Sequence, residues 1–187
     1  VNEWQSMAGN FGSKSVNLQV KCNQENLDIL RDYIAAYQEN YLLLTAHRGQ
    51  PQGQSKRFVA QLTSALNDVS QAVEANRNAP NQKHVTILTT FAFLCRNLCG
   101  TVGILCKSGK DRTGMSSTLE LVRSLMEEVV LIQPDLAVQA LREKGGRRMN
   151  VWANTGQSMF AFNSLQRSYL PACYRPPAHT YSANVAS

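Results

Sequence analysis

In the segment Cys106-Lys107-Ser108-Gly109-Lys110-Asp111-Arg112, five residues separate a cysteine from an arginine. The compact apolar run Thr101-Val102-Gly103-Ile104-Leu105 precedes it and reads as a buried strand. An amphipathic helix is expected after it, from Thr113 to about Val130. Strand–loop–helix is the usual unit of an α/β layered fold, so a sheet flanked by helices is the expected architecture. A loop of this length can curl into a cup whose backbone N–H groups converge on one centre, a nest for an oxyanion. The N-terminus of the following helix adds its positive end. Gly109 supplies the backbone freedom that the curl requires. Arg112 can close the cup with bidentate hydrogen bonds to two phosphate oxygens.

Cys106 is then expected at the floor of the cup, pointing at phosphorus. A free thiol has a pKa of about 8.5, and cationic surroundings lower it by about one to several units. Here Lys107, Lys110 and Arg112 oppose the single Asp111. The thiolate attacks in line and forms a phosphocysteine, which water later hydrolyses. The Thr113 hydroxyl can donate to the sulfur and help it leave. An acid is needed to protonate the departing alkoxide. The chain offers Asp28, Asp32, Asp68, Asp111 and Asp135. Asp111 is the candidate acid, and the base for the attacking water, because it lies in the loop beside the arginine. Asp135, in Gln133-Pro134-Asp135, is the runner-up. It resembles the Trp-Pro-Asp loop of tyrosine phosphatases but follows the nucleophile in sequence, and its simpler role is to cap a helix beginning at Leu136. A nucleotide-binding P-loop requires Gly, four residues, then Gly-Lys-Ser or Gly-Lys-Thr. Gly103 is one position out of register with Gly109, and Asp111 follows Lys110, so that pattern fails. The Cys-to-Arg spacing is common by chance. Thr113, the basic residues, Gly109 and the strand–helix context together distinguish it from an ordinary turn with a buried cysteine.

The chain has 187 residues, enough for one domain with its own core, and residues 1–187 read as a single catalytic domain. It begins at Val1 and is expected to be a piece of a longer protein. A hydrophobic share of 43% and a charged share of 17% suit a globular domain. No apolar stretch approaches the roughly 20 residues of a membrane-spanning helix. There are 19 Lys and Arg against 13 Asp and Glu, a net charge of +6. That balance favours an anionic partner: nucleic acid, an acidic membrane or a phosphorylated small molecule. Cys22, Cys95, Cys99, Cys106 and Cys173 are odd in number and irregularly spaced, which points to a reducing, cytosolic setting rather than a disulfide framework.

Along the chain, residues 16–22 (VNLQVKC) alternate apolar and polar and read as a short strand. Asn23 can then cap a helix to about Glu39. Residues 46–56 read as a loop, and 55–76 as a helix turning Phe58, Leu62, Ala65, Leu66, Val69 and Val73 inward. Residues 78–83 break it, and 84–98 read as a buried helix ending at Gly100. Pro134 and Asp135 start another helix, which stops at Gly145-Gly146. Residues 169–181 look irregular. Only two strands are convincing, so part of the sheet is expected outside this chain, unless the strands are misread.

Cys106 to Met115 (CKSGKDRTGM), followed by Ser117-Thr118-Leu119-Glu120, resembles the inositol polyphosphate 4-phosphatases. The resemblance extends to Val1 to Gln5, Phe11-Gly12, Asn23 to Asn26, Phe160 to Gln166, Tyr174 to Pro177 and Thr180-Tyr181, and is poor over 40–80. Bacterial effector phosphoinositide phosphatases share the loop, but the distal segments favour the 4-phosphatases. The resemblance implies a tyrosine-phosphatase-like α/β fold of the Cys-x5-Arg superfamily. It also implies removal of the 4-phosphate of phosphatidylinositol 3,4-bisphosphate, or of soluble inositol 3,4-bisphosphates, without metal or other cofactor. A phosphoinositide or inositol phosphate substrate and an anionic membrane surface are the partners implied, at the cytoplasmic face of membranes, and nucleic acid is not among them. The resemblance also implies an upstream lipid-binding C2 domain, and none is expected within this chain.

Lys107, Ser108, Gly109 and Lys110 are the expected substrate-binding residues of the loop. Arg147 and Arg148, with Arg142 and Lys144, flank Gly145-Gly146 and can grip a second phosphate or anionic lipid; equally, they can be solvated cations offsetting a helix dipole. Cys95 and Cys99, four apart on one helical face, suit core packing or a resolving thiol for Cys106. Their spacing offers no zinc site. His47, His84 and His179 are scattered. Trp152 and Phe160 to Phe162 are expected in the core, and Asn150 and Asn163 are candidates for groups near the cup. The competing functions are a protein tyrosine or dual-specificity phosphatase, which usually draws its acid from outside the loop, and a non-catalytic phosphoinositide-binding module.

Overall fold

The computed structural model describes residues 13–80, 82, 84–106, 109–130 and 133–184. The chain divides into two compact units between Val102 and Gly103.

The first unit is built from helices α1 (Ser13–His47), α2 (Gln52–Asn78) and α3 (Thr86–Asn97). The expected strand at 16–22 is the start of α1. Val16, Val20, Asn23, Leu27, Leu30 and Ile34 recur every three or four residues, so the alternation within 16–22 is the opening of one long helical stripe. Leu18 is exposed and so is Cys22, off that stripe. Asn23 caps nothing. It lies mid-helix, buried, and its Nδ2 donates to Asn76 Oδ1 of α2 at 3.0 Å. The expected loop at 46–56 narrows to residues 48–51, closed by Gln50 N–H on the Thr45 carbonyl. α2 packs against both α1 and α3. Leu27, Ile34, Leu62, Ala65, Val69, Val73, Ile87 and Leu94 form the shared core, and the inward face of α2 is the one its periodicity predicts. Cys95 and Cys99 do not share a helical face. α3 ends at Asn97, and Cys99 follows it exposed, with φ +55°. Burial pushes the Cys95 thiol up.

The second unit contains α4 (Asp111–Glu128), α5 (Pro134–Lys144), α6 (Gly146–Thr155), the short α7 (Ser164–Tyr169) and a 3-10 turn at Ala172–Tyr174. α4 packs on α5, α6 and the 3-10 turn. Met115, Leu119, Val122, Val138, Val151, Phe160, Phe162, Leu170 and Tyr174 are its buried apolar residues. Phe160 and Phe162 are thus in the core as expected, whereas Trp152 is half exposed. Residues 169–181 are held by a pair of backbone bonds: Phe160 N–H donates to the Thr180 carbonyl at 2.8 Å and Ser182 N–H to the Phe160 carbonyl at 3.0 Å.

The expected tyrosine-phosphatase-like α/β fold is overturned. No strand occurs among the described residues. Phe160 and Tyr181 form an isolated parallel bridge. Residues 101–105 have no regular structure, and Leu105 is 89% exposed. A strand is stable only when its N–H and C=O groups are paired by a neighbour, and nothing described in the chain pairs with this run. Among the described residues, no helix is long and apolar enough to cross a membrane.

Candidate active site

The second unit gathers chemistry at the N-terminus of α4. The helix begins two residues earlier than the periodicity suggests, at Asp111, and Lys110 is its N-cap. The first helical bond runs from Gly114 N–H to the Lys110 carbonyl at 2.7 Å. Asp111, Arg112 and Thr113 therefore occupy the first turn, where an acidic residue is favoured and where backbone N–H groups lack helical partners.

Cys106 is brought to this turn. Gly109 N–H donates to the Cys106 carbonyl at 3.1 Å, reversing the chain, and Gly109 sits at φ +64°, in the left-handed region that costs glycine little. The Thr113 hydroxyl then donates to Cys106 Sγ at 3.1 Å. Nucleophile candidate and helix N-terminus are thus in direct contact. Arg112 is partly buried in the same turn, and Lys110 is buried beside it. Lys107 and Ser108 lie outside the described residues.

Asp111 is buried, and its Oδ1 accepts a hydrogen bond from the Ala161 backbone N–H at 2.8 Å. This bond ties the first turn of α4 to the Phe160-Ala161-Phe162 segment. Gly114 permits that approach: a Cβ there would stand 3.0 Å from Phe160 Cε1 and 3.8 Å from Arg147 Cβ. α6 delivers Arg147 beside it, and the Arg147 Nη2 donates to the Gly109 carbonyl at 2.6 Å.

The other basic residues around Gly145-Gly146 disperse. Arg148 donates to the Ser158 carbonyl at 2.8 Å and the Glu143 carbonyl at 2.6 Å. Arg142 is buried and joins α4, α5 and the C-terminal segment. Lys144 is exposed. Asp135 neither caps α5, whose N-cap is Gln133, nor is it buried. Asn150 is exposed, and Asn163 caps α7 in a reciprocal box with Gln166. Two participants escape a reading of the sequence: Ala161, which acts through its main chain, and Gly114, whose role is only to be small. The sole signal for Gly114 is its place three residues after Asp111, within the first turn.

The family model for the INPP4A C-terminal domain matches residues 1–174. The type II inositol 3,4-bisphosphate 4-phosphatase of Rattus norvegicus is 36% identical over 186 residues, which is 97% of this chain and 18% of that protein. The inositol polyphosphate 4-phosphatase type II of Homo sapiens gives the same identity and coverage. The chain thus spans less than a fifth of the length of these curated relatives. No solved structure matches it. By its match over residues 1–174, the chain belongs to the INPP4A C-terminal domain family.

Proposed function

We propose that this chain carries the catalytic loop of a phosphoinositide or inositol polyphosphate phosphatase that removes the 4-phosphate of phosphatidylinositol 3,4-bisphosphate or its soluble counterpart. The observation that carries the reading is the 3.1 Å contact from Thr113 Oγ1 to Cys106 Sγ, which seats the sulfur on the positive end of α4. That position favours the thiolate, the nucleophilic form. The sulfur attacks phosphorus as the S–P bond forms and the ester P–O bond breaks. Asp111 gives the leaving oxygen its proton, then takes one from the water that cleaves the phosphocysteine. Its Oδ1 is oriented by Ala161, leaving Oδ2 for that exchange. Arg112 holds two phosphate oxygens. Lys107, Ser108, Gly109 and Lys110 are the substrate-binding residues proposed for the loop. Arg147 reaches the loop, whereas Arg148 binds carbonyls of its own surroundings. The net charge of +6 suits work at an anionic, cytoplasmic membrane surface.

A panel of phosphoinositides, soluble inositol phosphates and phosphotyrosine peptide tests this, with phosphate release as the readout. Release is expected from the 3,4-bisphosphorylated inositol. Preference for the phosphopeptide would make the protein a tyrosine or dual-specificity phosphatase, and binding without turnover would make it a binding module. Asp111→Asn is expected to slow release from an alkoxide leaving group by about a hundredfold or more and to affect an activated aryl phosphate far less. Equal loss on both would remove Asp111 as the acid.

A further inference from the structure

Arg147 stands 38 residues after Gly109, yet its Nη2 makes one of the shortest hydrogen bonds at the loop, 2.6 Å to the Gly109 carbonyl. In a planar trans peptide the C=O and N–H groups point in opposite directions. The bond that draws the Gly109 oxygen toward α6 therefore turns the N–H of Lys110, in the same peptide, away from α6. This peptide needs restraint. Gly109 is at φ +64°, and a glycine's freedom makes reversal of its peptide cheap. Reversed, the peptide would present a carbonyl dipole to an oxyanion in place of an N–H.

Arg147 is also held for the purpose. Its Cβ lies beside Gly114 of the α4 turn. Its Nε is buried and meets no acceptor among the described residues. Arg148, by contrast, uses Nε and Nη1 on two carbonyls remote from the loop in sequence. Among the described residues the Arg147 charge is thus tied to the loop by one bond and has no carboxylate partner.

We infer that Arg147 is a positioning residue for oxyanion capture, fixing the Gly109–Lys110 peptide so that its N–H rather than its carbonyl serves the anion. This rests on the reading of 106–112 as a phosphate-binding loop. It assigns Arg147 to the loop's own geometry rather than to direct contact with a second phosphate.

Tungstate, a phosphate-like oxyanion, is titrated calorimetrically into wild type, Arg147→Met and Arg147→Lys, with thermal midpoints recorded in parallel. A charge-assisted hydrogen bond corresponds to roughly tenfold to a hundredfold in affinity, and Arg147→Met is expected to lose that much. Arg147→Lys, with a point charge in place of the fork, is expected to recover only part of it. In both variants the pH profile of Cys106 alkylation is expected to move upward, a change that a purely structural arginine would not cause. Wild-type tungstate affinity in a folded Arg147→Met overturns the inference. If that variant does not fold, wild-type affinity in Arg147→Lys overturns it instead. Tungstate binding involves no turnover, so the outcome is separate from the phosphatase reading. Should Cys106→Ser release phosphate at the wild-type rate, the nucleophile is lost while the Arg147 result stands.

Discussion

Cys106→Ser protein is expected to release phosphate at least about a thousandfold more slowly than wild type while still binding its inositol phosphate. The substitution exchanges one small atom at a partly buried position, so the cost to packing is minor. The Thr113 hydroxyl that donates to sulfur at 3.1 Å finds an oxygen acceptor instead. What changes is the chemistry. A serine hydroxyl is not ionised at neutral pH and is a far weaker nucleophile than a thiolate. Phosphate release measured under saturating substrate, with binding followed separately by calorimetry, gives both halves of the result. Release within about tenfold of wild type would mean that another group attacks phosphorus.

Arg142→Met is expected to lower the thermal midpoint by about 10 °C or more. Arg142 is only 2% exposed, and it donates to Thr118 Oγ1 at 3.1 Å and to the carbonyls of Met115 at 2.9 Å, Cys173 at 2.7 Å and Arg175 at 3.0 Å. Burial pushes its pKa down to about 10, still well above neutrality, so all these bonds are made by a charged guanidinium. Methionine fills much of the volume but takes a donor from the partly buried bonds to the Cys173 and Arg175 carbonyls and from the Met115 carbonyl, which keeps only the Thr118 hydroxyl at 3.1 Å among its side-chain donors. Stranding polar partners costs about 1–3 kcal/mol each when nothing replaces the lost bond, so about 3 kcal/mol or more is expected for the hub together. Arg142→Lys keeps the charge but not the fork and should recover only part of the loss. A melting curve of each variant decides it. A midpoint for Arg142→Met within about 2 °C of wild type would show that the network contributes little. Two of the four partners, Met115 and Thr118, belong to α4. The same hub therefore steadies the helix whose first turn carries the candidate site.

Helices with unbroken apolar periodicity were legible in the sequence. α2 and α3 follow from their stripes, and α5 from Pro134 at one end and Gly145 at the other. The start of α1 was not, because Val16 and Val20 fit a strand and a helix equally, and only continuation through Asn23, Leu27, Leu30 and Ile34 separates the two. The run at 101–105 has the composition of a buried strand, but pairing partners decide that outcome, and composition does not reveal them. α6 and α7 carried overlooked signals: Gly156 at φ +72° after α6, and the Asn163–Gln166 box opening α7. At the site, the local features were readable. Gly109 takes the left-handed conformation and Thr113 meets the sulfur. The bonds from Ala161 to Asp111 and from Arg147 to Gly109 span 50 and 38 residues. They depend on how α6 and the Phe160 segment pack on α4, which no local pattern encodes.

On the proposed mechanism, the Cys106 sulfur becomes bonded to phosphorus during turnover. Protein mixed with 3,4-bisphosphorylated inositol, quenched in acid within the first turnover and digested, is examined by mass spectrometry. A phosphate carried on the Cys106 thiol of the peptide spanning residues 106–112, absent from Cys106→Ser, is the result expected. Phosphate released in the same interval with that thiol never modified would contradict it.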